Sequence, residues 1–145
     1  MSNLPAITSG QKAYVDTNIF IYYIETDGPA KTRIMEFFTA AKIADTRLVT
    51  SEITLAECML QPARNKNRAL IEKYELLLED DENVELVPLS GAVTKLAALK
   101  AGDFGLKLID SIHLVSAFQS GCDFFLTNDD SFKSSPSLQV IHIAR

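Results

Sequence analysis

The chain has 145 residues, 47% hydrophobic and 23% charged, which suits one globular domain with one sizeable core and excludes a low-complexity or disordered chain. A formal net charge of −5 excludes a protein that holds nucleic acid by a broad basic surface, although bound cations can offset local negative charge. Two cysteines, Cys58 and Cys122, supply neither a disulfide framework nor a cysteine zinc site and read as buried thiols.

Residues 1–12, MSNLPAITSGQK, are mostly polar and read as a lead segment into a single domain over residues 13–145. They lack a basic start followed by an apolar run, and no stretch reaches the ~18 apolar residues of a spanning helix. The expectation is a cytoplasmic protein that does not cross a membrane.

A strand is expected over 13–15, ending at Asp16, and an apolar helix over 19–24 with Asp16 or Asn18 as its cap. Pro29 suits the first turn of a helix to about Ala44, where Ile34, Phe37, Phe38 and Ala41 recur at helical spacing. A second strand follows over 47–50. A helix from Glu52 to about Gln61 is expected to end at Pro62, and another spans 65–78. The acidic run 79–82 reads as a solvated turn. Residues 84–87 alternate as a strand closed by Pro88. Helices are expected over 91–101 and 106–119, the latter stopped by Gly121. Strands over 124–126 and 138–143 complete the pattern. Strands alternating with helices imply an α/β layer fold with a mainly parallel central sheet.

Four acidic residues stand in apolar or turn settings: Asp16, Glu57, Asp110 and Asp129. Each has an ordinary structural role open to it. Asp16 can cap a helix. Glu57 closes the capping-box pattern Thr54-Leu55-Ala56-Glu57, with Ile53 and Cys58 as a staple. Asp129 can serve an Asn-Asp turn, and Asp130 beside it has equal claim from spacing. Asp110 is hardest to place otherwise. It sits among Leu106, Leu108, Ile109, Ile112, Leu114 and Val115, where an ionised group costs several kcal/mol (on the order of the penalties for buried ions) unless paired, for example with Lys107. Asp16 and Asp129 each follow a strand, and ligands in open α/β sheets bind beyond the carboxyl ends of strands. If the fold gathers all four, they repel one another and invite a divalent cation; oxygen ligands suit Mg²⁺ or Mn²⁺. That chemistry points to hydrolysis of phosphate esters.

The segments VDTNIFIYYIE, SEITLAE, LKLIDSIHLVSAF and FFLTNDDSF, with the final strand LQVIHI, resemble the PIN-domain nucleases, especially the VapC-type toxins of toxin–antitoxin pairs. The resemblance covers about Tyr14 to Ile143. It implies a PIN-like three-layer α/β/α domain and a metal-dependent ribonuclease using Mg²⁺ or Mn²⁺. It implies catalytic, metal-binding roles for Asp16, Glu57, Asp110 and Asp129, with Asn18 and Thr127 supporting them, and favours Asp129 over Asp130. It further implies RNA as substrate, a cognate antitoxin protein and a homodimer. Ser111 stands where the family often has Ala; both are small enough for close helix packing. His113, one turn after Asp110, matches a recurrent family position and reads as a packed or hydrogen-bonded histidine rather than a base. Arg64, Lys66 and Arg68 form the densest basic patch, read either as RNA contacts at the site's rim or as a solvated helix start. Two other readings stay open: a non-catalytic PIN-like module binding RNA or protein, and an aspartyl-phosphate phosphatase. The latter is weakened because Asn18 stands where its Asp-x-Asp pattern needs a second acid.

Overall fold

The computed structural model describes residues 9–143. The expected lead segment therefore lies largely outside the described residues, and Lys12 already belongs to the first strand. The elements run β1 (Lys12–Val15), α1 (Thr17–Glu25), α2 (Pro29–Ile43), β2 (Arg47–Ser51), α3 (Glu52–Arg64), α4 (Arg68–Leu78), β3 (Val84–Val87), α5 (Gly91–Phe104), α6 (Leu108–Gln119), β4 (Phe124–Thr127) and β5 (Gln139–His142).

The strands form one parallel sheet in the order β3-β2-β1-β4-β5. Strands covered on both faces read as continuous apolar runs, and alternate residues serve opposite layers. Ala13 and Val15 of β1, with Phe124 and Leu126 of β4, pack with Ile19, Phe20, Ile34, Phe37, Cys58, Tyr74 and Leu78 from α1 to α4. Tyr14 and Phe125 point the other way, onto Leu114 and Ala117 of α6. Helix α5 closes that layer through Val93 and Ala97 against Ile112 and Val115. The result is the expected three-layer α/β/α sandwich.

Several local expectations are corrected. Pro62 does not end α3; it lies buried within its last turn, and the helix reaches Arg64. A proline near a helix end forfeits one backbone hydrogen bond, and burial of its ring helps offset that loss. Helix α4 starts later than expected, at Arg68, because the Asn67 side chain caps it by accepting from the Leu70 N–H. The Thr54–Glu57 capping box is absent. Ser51 is the cap of α3, accepting from the Ile53 N–H, and Thr54 lies inside the helix with its hydroxyl against Thr50. Asp110 is not deep inside a helix. It sits in the first turn of α6, flanked by Leu108 and Ile109, which are 51% and 37% exposed. The deeply buried acid is instead Asp16, which is 4% exposed.

Candidate active site

Strand β1 is the middle strand, with β2 on one side and β4 on the other. The chain fills the β2–β3 side first and then crosses to β4 and β5, so the order reverses at β1. Such a switch point opens a crevice beyond the carboxyl ends of the strands. A cleft of about 300 Å³ lies there, lined by Asp16, Thr17, Asn18, Ile21, Glu57, Asp110, His113 and Asp129. The four acids singled out in the sequence thus line one cleft, although they come from distant segments. Asn18 lines it too. Asp130 is exposed and is not among the lining residues.

Asp16 follows β1 directly. Its backbone N–H donates to Leu126 O at 2.9 Å, continuing the pairing with β4. Its side chain caps α1: Oδ1 accepts from the Thr17 N–H at 2.8 Å, while Oδ2 accepts from Thr127 Oγ1 at 2.7 Å. Burial holds the Asp16 carboxyl above its ordinary range; His113, Thr127 and Thr17 work against that rise, and the Glu57 charge adds to it.

Glu57 enters from α3. Its Oε1 accepts from Thr17 Oγ1 at 2.7 Å and lies 2.8 Å from His113 Nε2. Burial works to raise this carboxyl, but the hydrogen bonds from His113 and Thr17 outweigh it and bring it below its usual value. Asp110 is raised, first by burial and then by the charges of Asp129 and Asp16. No ion pair joins it to Lys107 among the described residues. Asp129 is placed by its turn: its N–H donates to Thr127 Oγ1 at 3.0 Å, its Oδ1 accepts from the Ser131 N–H at 2.8 Å, and His142 Nε2 lies 3.1 Å from its carbonyl oxygen.

The expectation of a single closed cradle is not met in full. Among the described residues, no group of three or more His, Cys, Asp or Glu side chains stands close enough together to hold a metal ion. Asp16, Glu57 and Asp129 each accept hydrogen bonds from donors of their own. The donor set still fits Mg²⁺ or Mn²⁺. It consists of carboxylate oxygens, and Mg²⁺ keeps several waters and commonly needs only one or two carboxylates. Burial first, and neighbouring carboxylates after it, raise Asp16 and Asp110.

The cysteines are not nucleophiles in this arrangement. Burial pushes the Cys58 thiol far above its ordinary value and Cys122 up to about 12, and neither lines the cleft. Arg64 ends α3 and lies seven residues beyond Glu57, about two helical turns along the same face. Lys66 takes φ +53° in the connection to α4, and Arg68 opens that helix; all three are exposed.

Two residues that organise the cleft, Thr17 and Tyr14, carry no role in the sequence reading, and His113 is the packed, hydrogen-bonded histidine expected. Thr17 donates to Glu57, His113 contacts Glu57 and Tyr14, and Tyr14 lies fully buried behind them. The only sequence signal was position: Thr17 follows Asp16 directly, and His113 lies one helical turn after Asp110.

A five-stranded parallel sheet between helical layers, with acids at its switch point, defines an acidic-cleft α/β domain of PIN type. The chain belongs to the PIN domain family, whose profile matches residues 13–136. No curated protein sequence matches it. Among solved structures, the fold is similar to a chain of a toxin–antitoxin complex from Klebsiella pneumoniae (TM-score 0.66, 20% identity, covering 87% of this chain and 94% of that one). It is also similar to VapBC2 from Rickettsia felis bound to a promoter DNA fragment (TM-score 0.64, 19% identity, 90% and 98% covered). A third is VapC20 of Mycobacterium tuberculosis, a sarcin–ricin-loop-cleaving toxin (TM-score 0.63, 10% identity, 78% and 86% covered).

Proposed function

We propose that this chain is an endoribonuclease dependent on Mg²⁺ or Mn²⁺, acting as the toxin of a toxin–antitoxin pair. The observation that carries this reading is the arrival of Asp16, Glu57, Asp110 and Asp129, from separate elements, at one cleft. Membership of the PIN domain family and the likeness to VapBC structures support it. The VapC20 likeness favours RNA as the substrate class.

The four carboxylates would hold the cation, and the chemistry it supplies once bound is polarisation of a water and neutralisation of charge on phosphate oxygens. Asp16 is the central acid, held at both oxygens by Thr17 and Thr127. Glu57 is aimed by Thr17 and His113. Asn18 brings an amide to the cleft for holding water or a carboxylate. Arg64, Lys66 and Arg68 contact RNA phosphates at the rim. An aspartyl-phosphate route is disfavoured because, among the described residues, no lysine lines the cleft. An antitoxin would block the site through an arginine, which pairs well with carboxylates. The family resemblance adds a homodimer, checked by light scattering.

Asp16→Asn and Asp110→Asn are each expected to lower metal-stimulated RNA cleavage at least about 100-fold, the scale of removing one electrostatic contact to developing charge. Full activity in either folded variant refutes the reading. Co-purification of a small partner with the wild type supports the toxin role; a stable monomer that cuts RNA freely in the cell counts against it.

A further inference from the structure

We propose that Tyr14 and His113 form a hydrogen-bonded brace that fixes the Glu57 carboxylate, with His113 in the Nε2–H tautomer as a donor to Glu57 rather than a base or a metal ligand. The role assigned to Glu57 rests on the nuclease reading; the brace itself rests on geometry.

Tyr14 lies in the middle of β1 and is fully buried. Its ring stacks on Phe125 at 5.1 Å and 10°, and meets His113 edge-on at 5.8 Å and 65°. Its hydroxyl lies 2.7 Å from His113 Nδ1. Burial, followed by the Asp16 charge, pushes the phenol well above its ordinary value of 10.0, so it keeps its proton. The Glu57 carboxylate oxygen 2.8 Å from Nε2 can only accept, which places the imidazole proton on Nε2 and leaves Nδ1 to accept the phenol's single proton.

A neutral imidazole has one N–H, and the partner of one ring nitrogen decides where that proton sits. With Nδ1 accepting from Tyr14, the proton belongs on Nε2. That nitrogen lies 2.8 Å from Glu57 Oε1, 3.3 Å from Thr17 Oγ1 and 3.7 Å from Asp16 Oδ1. Thr17 also has one proton to give, and the carboxylate at 2.7 Å is its nearest acceptor. Glu57 Oε1 therefore receives two donors, one from α1 and one from α6. His113 is 1% exposed, so its ring has little room to turn away. A histidine serving only to fill the core would need satisfied nitrogens; this one joins a strand-core phenol to a cleft carboxylate. Partners of this kind typically hold metal-binding side chains in orientation.

The test uses ¹⁵N NMR of the metal-free protein at neutral pH and Mn²⁺ calorimetry. The wild type is expected to show His113 as the Nε2–H tautomer. Tyr14→Phe keeps the stacked ring but removes the donor; the proton should stay on Nε2, held by Glu57, while the Nδ1 resonance moves toward that of an acceptor nitrogen without a hydrogen bond. A glutamine amide nitrogen can occupy the Nε2 position, whereas an asparagine amide reaches only the Nδ1 position. His113→Gln should therefore bind Mn²⁺ within a few-fold of wild type, as order of magnitude, and His113→Asn should weaken it roughly 10–100-fold. A wild-type Nδ1–H tautomer, with Nε2 bare toward Glu57, overturns the proposal, as does equal Mn²⁺ affinity in the Gln and Asn variants. A wild-type protein that binds no Mn²⁺ counts against the nuclease reading instead, and the wild-type tautomer together with the Nδ1 resonance in Tyr14→Phe, which must move if Tyr14 donates to it, then decides the brace alone.

Discussion

Thr127 Oγ1 donates to Asp16 Oδ2 at 2.7 Å while accepting from the Asp129 N–H at 3.0 Å. One hydroxyl at the end of β4 thus orients the acid that follows β1 and anchors the backbone of another. Thr127→Ala leaves a buried carboxylate oxygen without that donor, at an expected cost of about 1–3 kcal/mol. Thr127→Ser retains the hydroxyl and should lose much less. Denaturant midpoints of the two variants check this; equal midpoints would show that the bond contributes nothing.

Asp110 makes the metal-free protein's stability depend on pH in a definite sense. Burial first, and then Asp129 and Asp16, raise it above its ordinary 3.8, so the folded chain takes up a proton before the unfolded chain does. Stability from this group is full below the ordinary value and is lost as pH rises through the folded-state value. Asp110→Asn is therefore expected to stabilise the metal-free protein at neutral pH, by the lower part of about 0.5–2 kcal/mol because the residue is partly exposed. Thermal melts should show the gain vanishing in acid. A destabilised Asp110→Asn at neutral pH contradicts this account.

Glu57 acts in the opposite sense. Its folded-state value is lowered, because the bonds from His113 and Thr17 outweigh burial. Its stabilisation is present above the ordinary value of 4.5 and is lost as pH falls through the folded-state value. Glu57→Gln should destabilise at neutral pH and become nearly neutral in acid. The same melts read it out, and a stabilised Glu57→Gln at pH 7 contradicts the assigned bonds.

Arg64 and Arg68 lie on either side of the turn between α3 and α4. Arg64→Glu combined with Arg68→Glu is expected to weaken RNA binding without regard to sequence. It should also flatten the salt dependence by about one unit of slope for each phosphate that is no longer neutralised. Unchanged affinity and slope would leave these residues as a solvated helix junction.

Ser111 is fully buried, and its hydroxyl donates to Ala97 O at 2.8 Å where α5 and α6 pack together. Ser111→Ala should cost no more than about 1.5 kcal/mol. Ser111→Leu should cost about 1–3 kcal/mol or more by overpacking. Urea titrations distinguish them, and a neutral Ser111→Leu would mean that the helices are looser than described.

The sheet was legible because strands buried on both faces, such as FFLT, leave nearly unbroken apolar runs, and because Asp16 and Asp129 stand where such runs stop. What stayed hidden depends on contacts between distant segments. Thr54 matches a capping box in the sequence, but its hydroxyl turns to Thr50 and Thr17. The left-handed conformation of Lys66 leaves no mark in a lysine. His113 and Glu57 are 56 positions apart, and no local pattern announces their contact. Pro62 looked like a stop because local rules cannot see the packing that buries its ring.

Anomalous scattering from crystals grown or soaked with Mn²⁺ tests the central claim most directly. The account predicts a peak in the cleft, with oxygen ligands at about 2.0–2.3 Å from Asp16 and at least one of Glu57, Asp110 and Asp129. No peak there at millimolar Mn²⁺, or a site elsewhere on the molecule, would contradict it.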